Sequence, residues 1–346
     1  MKDRRIKVGV LILVLVLAVE LLFSYIPYLY EQLYFKGLFQ LIRVVHDFTL
    51  GLLPIPSIYL ILIGFIWYFF RDVRASIFSW FSSILRFVIW VVIFFYVGWG
   101  YNYNQEKLSS RIGIEAPLID SSYISKAFLE QTDRLYAIKD SMTGMKSQYY
   151  FIENGIRQLQ EGVLEEWGWP THGRVRVRYL WPGLLLHFRT SGIYIPHAAE
   201  GHIDAGLFVK QHPFTMAHEM SHGYGITDES EANFVAYMTC VKSKKLDVVY
   251  SAELAYWRYL ARYYKAFHPE SWPEFYNGLD ARLIQDLNLI NQHITKYKDW
   301  MPKYRDVIYD SYLKSHGVKA GIRSYDQMIL LIAGYKHKYG TLEKAN

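Results

Sequence analysis

Cysteine is almost absent from this sequence, with Cys240 the only one in 346 residues. A single thiol excludes a disulfide framework, and it equally excludes a zinc site held by cysteine ligands. Cys240 lies in an apolar stretch with helical spacing, where we expect a small core residue. The chain also contains no internal repeat and no low-complexity tract. Any chemistry must therefore come from other residue types.

Acidic residues are outnumbered by basic ones, which gives the chain a formal net charge of +6. A basic balance can indicate nucleic-acid binding, but much of the excess lies beside apolar stretches, at residues 2–7 and 71–86. Basic residues in such positions are typical of membrane proteins, whose cytoplasmic loops are rich in lysine and arginine. We therefore predict a lipid bilayer as a partner and no contact with nucleic acid.

Hydrophobic residues make up 52% of the chain and crowd into its first hundred positions. Three stretches are long enough to cross a bilayer as helices, which takes roughly 20 residues, and they lie at about 8–28, 50–70 and 77–101. The first is too long for the core of a signal peptide, and no small-residue cleavage site follows it. Between the first two, an amphipathic helix is expected on the membrane surface, with apolar contacts from Leu33, Leu38, Leu41, Ile42 and Val45.

The basic residues also predict an orientation, because short cytoplasmic loops carry an excess of lysine and arginine. The N-terminus is placed in the cytoplasm, and three crossings put residues 102–346 on the outer side. That part combines helical spacing with short strand patterns at Arg174–Tyr179, Ile193–Ile195 and His202–Val209. We predict a mainly α protein, with a membrane domain over residues 1–101 and an α-rich domain with a small β-sheet over residues 102–346.

The segment His218–His222 (HEMSH) carries the chemistry, and it ends at Gly223 and Gly225. Histidines four residues apart on a helix point from one face, so both rings can bind one zinc ion. Glu219 can accept a proton from a zinc-activated water and deliver it to a leaving amine. By itself the pattern also fits an exposed helix with two histidines. Its context, after a candidate edge strand and before a second helix, favours a metal site.

The segment resembles the gluzincins, zinc peptidases whose third ligand is a glutamate in an E-x-x-A-D/N pattern on the next helix, and residues 229–233 (ESEAN) fit it. The whole chain resembles a bacterial membrane family called domain of unknown function 3810. That resemblance covers the three apolar stretches, WGYNY, PFTMAHEMSHGYG, ESEANFVAYMTC and YLKSHGVKAGIRSY. It implies a zincin-like outer domain, a Zn²⁺ cofactor and location in a bacterial inner membrane. The gap before Glu229 is shorter than in many gluzincins, so the two helices must turn sharply.

Two glutamates compete for the role of third ligand. Glu229 and Glu231 lie roughly 200° apart around a helix, so both are not expected to face the zinc. Glu229 shares its face with small side chains, which would let this helix pack closely against the HEMSH helix. Asn233 on the same face could accept a hydrogen bond from the outer nitrogen of His218. With Asp228 as the N-cap, Glu231 lies three residues into the helix, where a capping-box role is expected. We therefore favour Glu229 and keep Glu231 as the alternative.

Two further residues, Tyr325 and His316, are candidates for contact with an oxyanion or a substrate, although packed side chains are commoner. The combined expectation is a membrane-anchored zinc hydrolase, and specifically a peptidase, that acts on a peptide or protein outside the cytoplasm with Glu219 as general base. The alternative is a membrane sensor whose zincin domain acts on one partner or is catalytically silent. An intact Glu219 argues against a silent domain, because zinc binding alone does not need that carboxylate.

Overall fold

The computed structural model describes residues 2–73, 77–115, 117, 119–143, 152–302, 307, 311 and 327–340. The chain is mainly helical with one small sheet, as predicted. The N-terminal helices are α1 (Lys2–Tyr25), α2 (Pro27–Leu29), a π-helical stretch (Tyr30–Leu38), α3 (Phe39–Asp47), α4 (Ser57–Val73) and α5 (Ile77–Gly98). The helices that follow are α6 (Leu108–Arg111), α7 (Ser121–Ser141), α8 (Ile152–Glu166), α9 (His212–Gly223), α10 (Glu229–Val241), α11 (Leu246–Phe267), α12 (Trp272–Asn277), α13 (Ala281–Thr295) and α14 (Met328–Tyr339).

Two helical segments, Arg4–Tyr25 and Trp80–Gly98, are long and apolar enough to cross a bilayer, in agreement with two of the predicted spans. The predicted second span differs, because its α-helix begins at Ser57 and not at residue 50. Pro54 and Pro56 lack the amide hydrogen that a helix interior needs, so the chain breaks there. The helical segments Pro27–Leu52 and Ser57–Phe70, on either side of the break, are bent by 85° from each other, so they do not form one straight span. Two crossings are therefore supported, and a third is not confirmed.

The predicted surface helix between the first two apolar stretches is present, as the π-helical stretch and α3. Leu33, Leu38, Leu41 and Val45 are exposed, and Ile42 is half-buried. The opposite face is buried in the same hydrophobic core as the helices that follow α5, through residues that include Tyr30, Tyr34, Phe35 and Phe39. This part of the chain therefore has one face in the protein and one face outside it.

Three strands form the sheet: β1 (Val177–Leu180), β2 (Gly192–Ile195) and β3 (Glu200–Asp204), in the order β1-β3-β2. Strand β3 runs parallel to β1 and antiparallel to β2. All three lie near predicted positions, but β3 ends at Asp204 and not at residue 209. The Asp204 carboxylate accepts hydrogen bonds from the amides of Gly183 and Gly206, which fixes a turn there. The strand before HEMSH is also central in the sheet, so its prediction as an edge strand was wrong.

Helix α9, which carries HEMSH, is packed on several sides. One side contacts β2 and β3, and the others contact α8, α10 and α11. From α8, Gln160 Nε2 donates to Ala217 O at 2.9 Å and to Ser221 Oγ at 2.7 Å. From α10, the buried Ala232 approaches closely enough for its carbonyl to lie 3.4 Å from Ser221 Oγ. The small side chains of α10 thus allow the close packing that the sequence predicted.

Candidate metal centre

Helix α9 brings two imidazole rings to one point. Pro213 lies in its first turn, where a missing amide hydrogen costs nothing. His218 and His222 are one turn apart, and their Nε2 atoms are 3.2 Å from each other, with the ring planes nearly perpendicular at 88°. After the helix, Gly225 has a φ of +91°, a conformation that favours glycine, and the chain reverses within a few residues.

Helix α10 supplies a carboxylate to the same point. Asp228 caps its N-terminus by accepting hydrogen bonds from the amides of Ser230 and Glu231, which makes Glu229 the first helical residue. Glu229 Oε2 then lies 3.2 Å from His218 Nε2 and 3.5 Å from His222 Nε2. The short gap that departs from many gluzincins is therefore bridged by one tight turn.

The three donor atoms fit a zinc ion. Their separations are 3.2, 3.2 and 3.5 Å, and ligand atoms about 2.0–2.1 Å from a tetrahedral zinc are about 3.3 Å apart. Among the residues that the structure describes, His218, His222 and Glu229 are the only group of three His, Cys, Asp or Glu side chains brought this close. Three candidate ligands would leave one position of a tetrahedral ion open, as catalytic zinc sites do.

In the candidate centre, the pKa values of His222 and Glu229 each depend strongly on the charge of the other group. Burial acts to lower the pKa of His222, but the adjacent Glu229 carboxylate outweighs it and raises that pKa to about 9. Burial likewise acts to raise the pKa of Glu229, but His222 and His218 hold it well below its usual value. Since a metal binds only the unprotonated imidazole, an incoming ion would have to displace the proton that this raised pKa keeps on His222 near neutral pH.

The backbone orients His222. Its Nδ1 lies 2.8 Å from Ile226 O, and a carbonyl can only accept, so Nδ1 carries a hydrogen. In the neutral ring, Nε2 then presents its lone pair to the cluster, which is the support that a ligating histidine needs. Asn233 was predicted to support His218 in the same way, but no such hydrogen bond is present, and Asn233 Nδ2 donates to Tyr259 Oη at 3.2 Å. His218 Nδ1 is buried and has no hydrogen-bond partner among the described residues.

The last carbonyls of α9, which lack partners within the helix, are satisfied by side chains from distant segments. Trp99 Nε1, just after α5, donates to His222 O at 2.8 Å. Arg43 Nη1, from α3, donates to Gly223 O at 2.5 Å. Trp169 Nε1 donates to the next carbonyl, that of Tyr224, at 2.9 Å. Two of the three donors, Arg43 and Trp99, therefore lie within the first 101 residues, and Trp99 binds the backbone of His222, a candidate ligand.

Glu219 lies in a slot made by two glycines of the sheet. A Cβ atom on Gly192 of β2 would lie 2.5 Å from Glu219 Oε1, and one on Gly201 of β3 would lie 2.7 Å from Glu219 Cβ. Burial raises the pKa of Glu219 to about 7, although His218 and His222 act to lower it. A carboxyl group with a pKa near neutrality can both accept and release a proton. Neither glycine was singled out from the sequence, since only the sheet register places them beside α9.

Glu231, the alternative third ligand, points elsewhere. Its Oε1 accepts hydrogen bonds from the amide and hydroxyl of Ser109, at 3.2 and 3.5 Å, at the N-terminus of α6. Burial raises the pKa of Glu231 to about 7. The predicted cap by Asp228 is present, but the Glu231 carboxylate caps a different helix from its own. The geometry thus brings Glu229, and not Glu231, to the histidines.

The profile of a protein family of unknown function, DUF3810, matches residues 34–333 of this chain. The chain belongs to the DUF3810 family. No curated protein and no solved structure matches it. The matched region of this DUF3810 protein contains α3, α5 and the whole candidate centre, so the apolar helices from α3 onward and the centre fall within one family match.

Tyr325 and His316 fall outside the described residues. Three histidines near the motif have other contacts: His197 with Val91 O, His212 with Leu207 O, and His202 with Glu200 on β3. Tyr259 of α11 also lies near the centre, because its hydroxyl accepts a hydrogen bond from Asn233, one turn from Glu229. Its position depends on how α10 and α11 pack, which no local pattern reports.

Proposed function

We propose that this DUF3810 protein is a membrane-anchored zinc-dependent hydrolase, and specifically a peptidase. His218, His222 and Glu229 would hold the zinc, and Glu219 would carry the proton. The observation that supports this most is the triangle of donor atoms, whose sides of 3.2 to 3.5 Å suit tetrahedral zinc. A carboxyl group buried beside that triangle is the further element that a hydrolytic site requires.

The residues divide the chemistry between them. Zinc in such a centre supplies a Lewis acid that polarises a carbonyl group and lowers the pKa of water. Glu219 accepts a proton at its carboxylate and releases it to the leaving amine, a role suited to its pKa of about 7. Its slot between Gly192 and Gly201 keeps the carboxylate from turning away. Hydrolysis of a peptide bond needs both proton transfers, so one titratable group suffices.

We further propose three crossings, by α1, α4 and α5, in a bacterial inner membrane. The N-terminus is cytoplasmic and residues 102–346 face outward, where the substrate is a peptide or protein. The basic residues at 2–7 and 71–86 support this orientation. Reporter fusions at residue 346 test it. Activity of an outer-side reporter is expected there, and activity of a cytoplasmic reporter alone would reverse the topology.

The test of the centre uses full-length protein in nanodiscs. Zinc content should be about one ion per chain in the wild type, and His218→Ala should lose most of it. His212→Ala is a matched control, since that histidine starts the same helix but lies outside the cluster. Fluorogenic peptides then test hydrolysis. Stoichiometric zinc in both His218→Ala and His222→Ala would remove the proposal.

The alternative function is a membrane sensor whose outer domain acts on one partner or is silent. One observation favours it: Trp99, directly after α5, donates to the backbone of His222, so movement of that helix would reach the centre. Glu219→Gln separates the two functions. The silent sensor is the better description if the wild type shows no peptide hydrolysis and Glu219→Gln leaves both zinc binding and the signalling response unchanged.

A further inference from the structure

The segment from Pro27 to Leu52, which we term the juxtamembrane segment, has inverted polarity in its second part, residues 38–52. Its polar side chains Gln40, Arg43 and Asp47 are buried against the rest of the protein. Between residues 38 and 52, the exposed residues are Leu38, Leu41, Val45, Phe48, Thr49, Leu50 and Leu52. A helix on a water-facing protein surface shows the opposite arrangement, with its apolar stripe inward. We therefore expect this exposed face of the segment to contact an apolar environment and not water.

The angle of the segment identifies that environment. Its axis is bent by 85° from the helix Ser57–Phe70 that follows it. If the latter runs along the membrane normal, the juxtamembrane segment runs in the membrane plane. Its exposed residues also continue the exposed apolar surface of α1, where Leu21 and Leu22 precede Tyr25. Exposed tyrosines at this corner suit the lipid interface, where aromatic residues are enriched. The occupant of the outer face is thus the lipid bilayer.

The inner face of the segment is attached to the candidate metal centre. Arg43 Nη1 donates to Gly223 O at 2.5 Å, and its Nη2 binds Asp47 at 2.7 Å. Asp47 in turn accepts a hydrogen bond from the amide of Arg174, just before β1, at 2.7 Å. A positive side chain at a helix C-terminus is favourable both for the helix dipole and for the orphan carbonyl. Arg43 is therefore a positioning residue for the end of α9.

We propose that the juxtamembrane segment lies flat in the outer membrane interface, with its leucine face in lipid, and that this contact positions through Arg43 the helix that carries His218 and His222. A segment of this kind binds by burying apolar area at the boundary of headgroups and acyl chains. The lipid surface then helps to hold α9, and with it the candidate metal centre, in position. Only the link to zinc rests on the proposed function, and the lipid contact does not.

The lipid contact is tested by nitroxide labelling of full-length protein in nanodiscs. Leu41→Cys and Val45→Cys are the probes, with exposed fractions of 59% and 55%, and Leu129→Cys on α7, at 45%, is the control. The native Cys240 is buried and should not react. Both probes should collide more with oxygen than with a water-soluble nickel complex, and the control should do the reverse. Water-like probes, or probes shielded from both reagents by protein, would overturn the lipid contact.

The positioning role is tested by hydrogen exchange at residues 217–226, a readout that needs neither zinc nor activity. Leu41→Glu combined with Val45→Glu should speed exchange about tenfold or more, as loss of a charge-assisted hydrogen bond does, and Leu129→Glu should not. Since the double variant could misfold, Arg43→Met and Arg43→Lys form a second series. Lysine restores the charge with one donor group, so it should recover part of the protection.

The outcomes separate the two proposals. If Arg43→Met leaves exchange unchanged, the positioning role is wrong, whatever the lipid contact. If the wild type binds no zinc while the labelling and exchange results hold, the proposed function fails and the lipid contact and the positioning of α9 stand. If zinc binds and Arg43→Met keeps wild-type zinc affinity despite faster exchange, the link between Arg43 and the centre is overturned.

Discussion

Replacing Gly192 by alanine should displace Glu219 without changing any candidate metal ligand. The added Cβ would lie 2.5 Å from Glu219 Oε1 and 2.9 Å from its Cδ and Cγ. Ordinary contact distances are about 3.5 Å or more, so the carboxylate must shift by about 1 Å. A shift of that size costs on the order of 10²-fold in rate for a positioned catalytic group. Overpacking should also lower the free energy of unfolding by about 1–3 kcal/mol.

The control for this change is Gly162→Ala in α8, where an added Cβ meets no atom within 4 Å. It should leave activity unchanged and hold or slightly raise stability, because alanine favours a helix more than glycine does. The assays are zinc content, hydrolysis of a fluorogenic peptide and thermal unfolding, all on the full-length protein. We expect Gly192→Ala to keep its zinc and lose hydrolysis. Wild-type rate and stability in Gly192→Ala would refute the slot as the means of holding Glu219.

Three other predictions concern single carboxyl groups. Glu219→Gln should keep zinc and lose hydrolysis by about 10²-fold or more, because it removes the proton acceptor and no ligand; a wild-type rate would contradict this. Metal analysis should find Glu229→Gln depleted of zinc and Glu231→Gln loaded, and the reverse would reassign the ligand. For Asp286, burial acts to raise the pKa, but Lys139, Lys210 and Tyr250 hold it below its usual value. The ionised Asp286 carboxylate therefore stabilises the folded protein fully above the unfolded pKa of about 3.9. This stabilisation is lost as the pH falls through the lower pKa of the folded state. Thermal unfolding should show the advantage of wild type over Asp286→Asn shrinking as the pH is lowered below about 4, and a constant difference would contradict it.

The sequence was informative where the determining interactions are local. Helical geometry places two histidines at a spacing of four on one face, and the resemblance to the gluzincin pattern pointed to a glutamate at the start of the next helix. The N-cap at Asp228 was predictable for the same reason. The helix between the first two apolar stretches, with its exposed leucines, followed from their spacing. In each case the residues that matter are within a few turns of one another along the chain.

The errors share the opposite cause. Asn233 was assigned to His218 from helix faces, but the distant Tyr259 holds it instead. The Glu231 carboxylate was expected to cap its own helix, but Ser109, 122 residues away, occupies it. The second span was expected from residue 50 because hydropathy averages over Pro54 and Pro56, which end helical hydrogen bonding. The glycines beside Glu219 could not be found without the sheet register.

The predicted division at residue 101 rests on hydropathy, and it does not coincide with a break in the packing. Hydropathy separates residues that meet lipid from residues that meet water, and the division of the chain into two domains on that basis stays a prediction. The packing crosses it repeatedly, since Arg43 and Trp99 satisfy carbonyls at the end of α9 and Phe35 stacks edge-on against Trp169. Residues 102–346 expressed alone would leave those carbonyls and that aromatic surface without partners. Function in this protein is therefore best measured with the membrane segments in place.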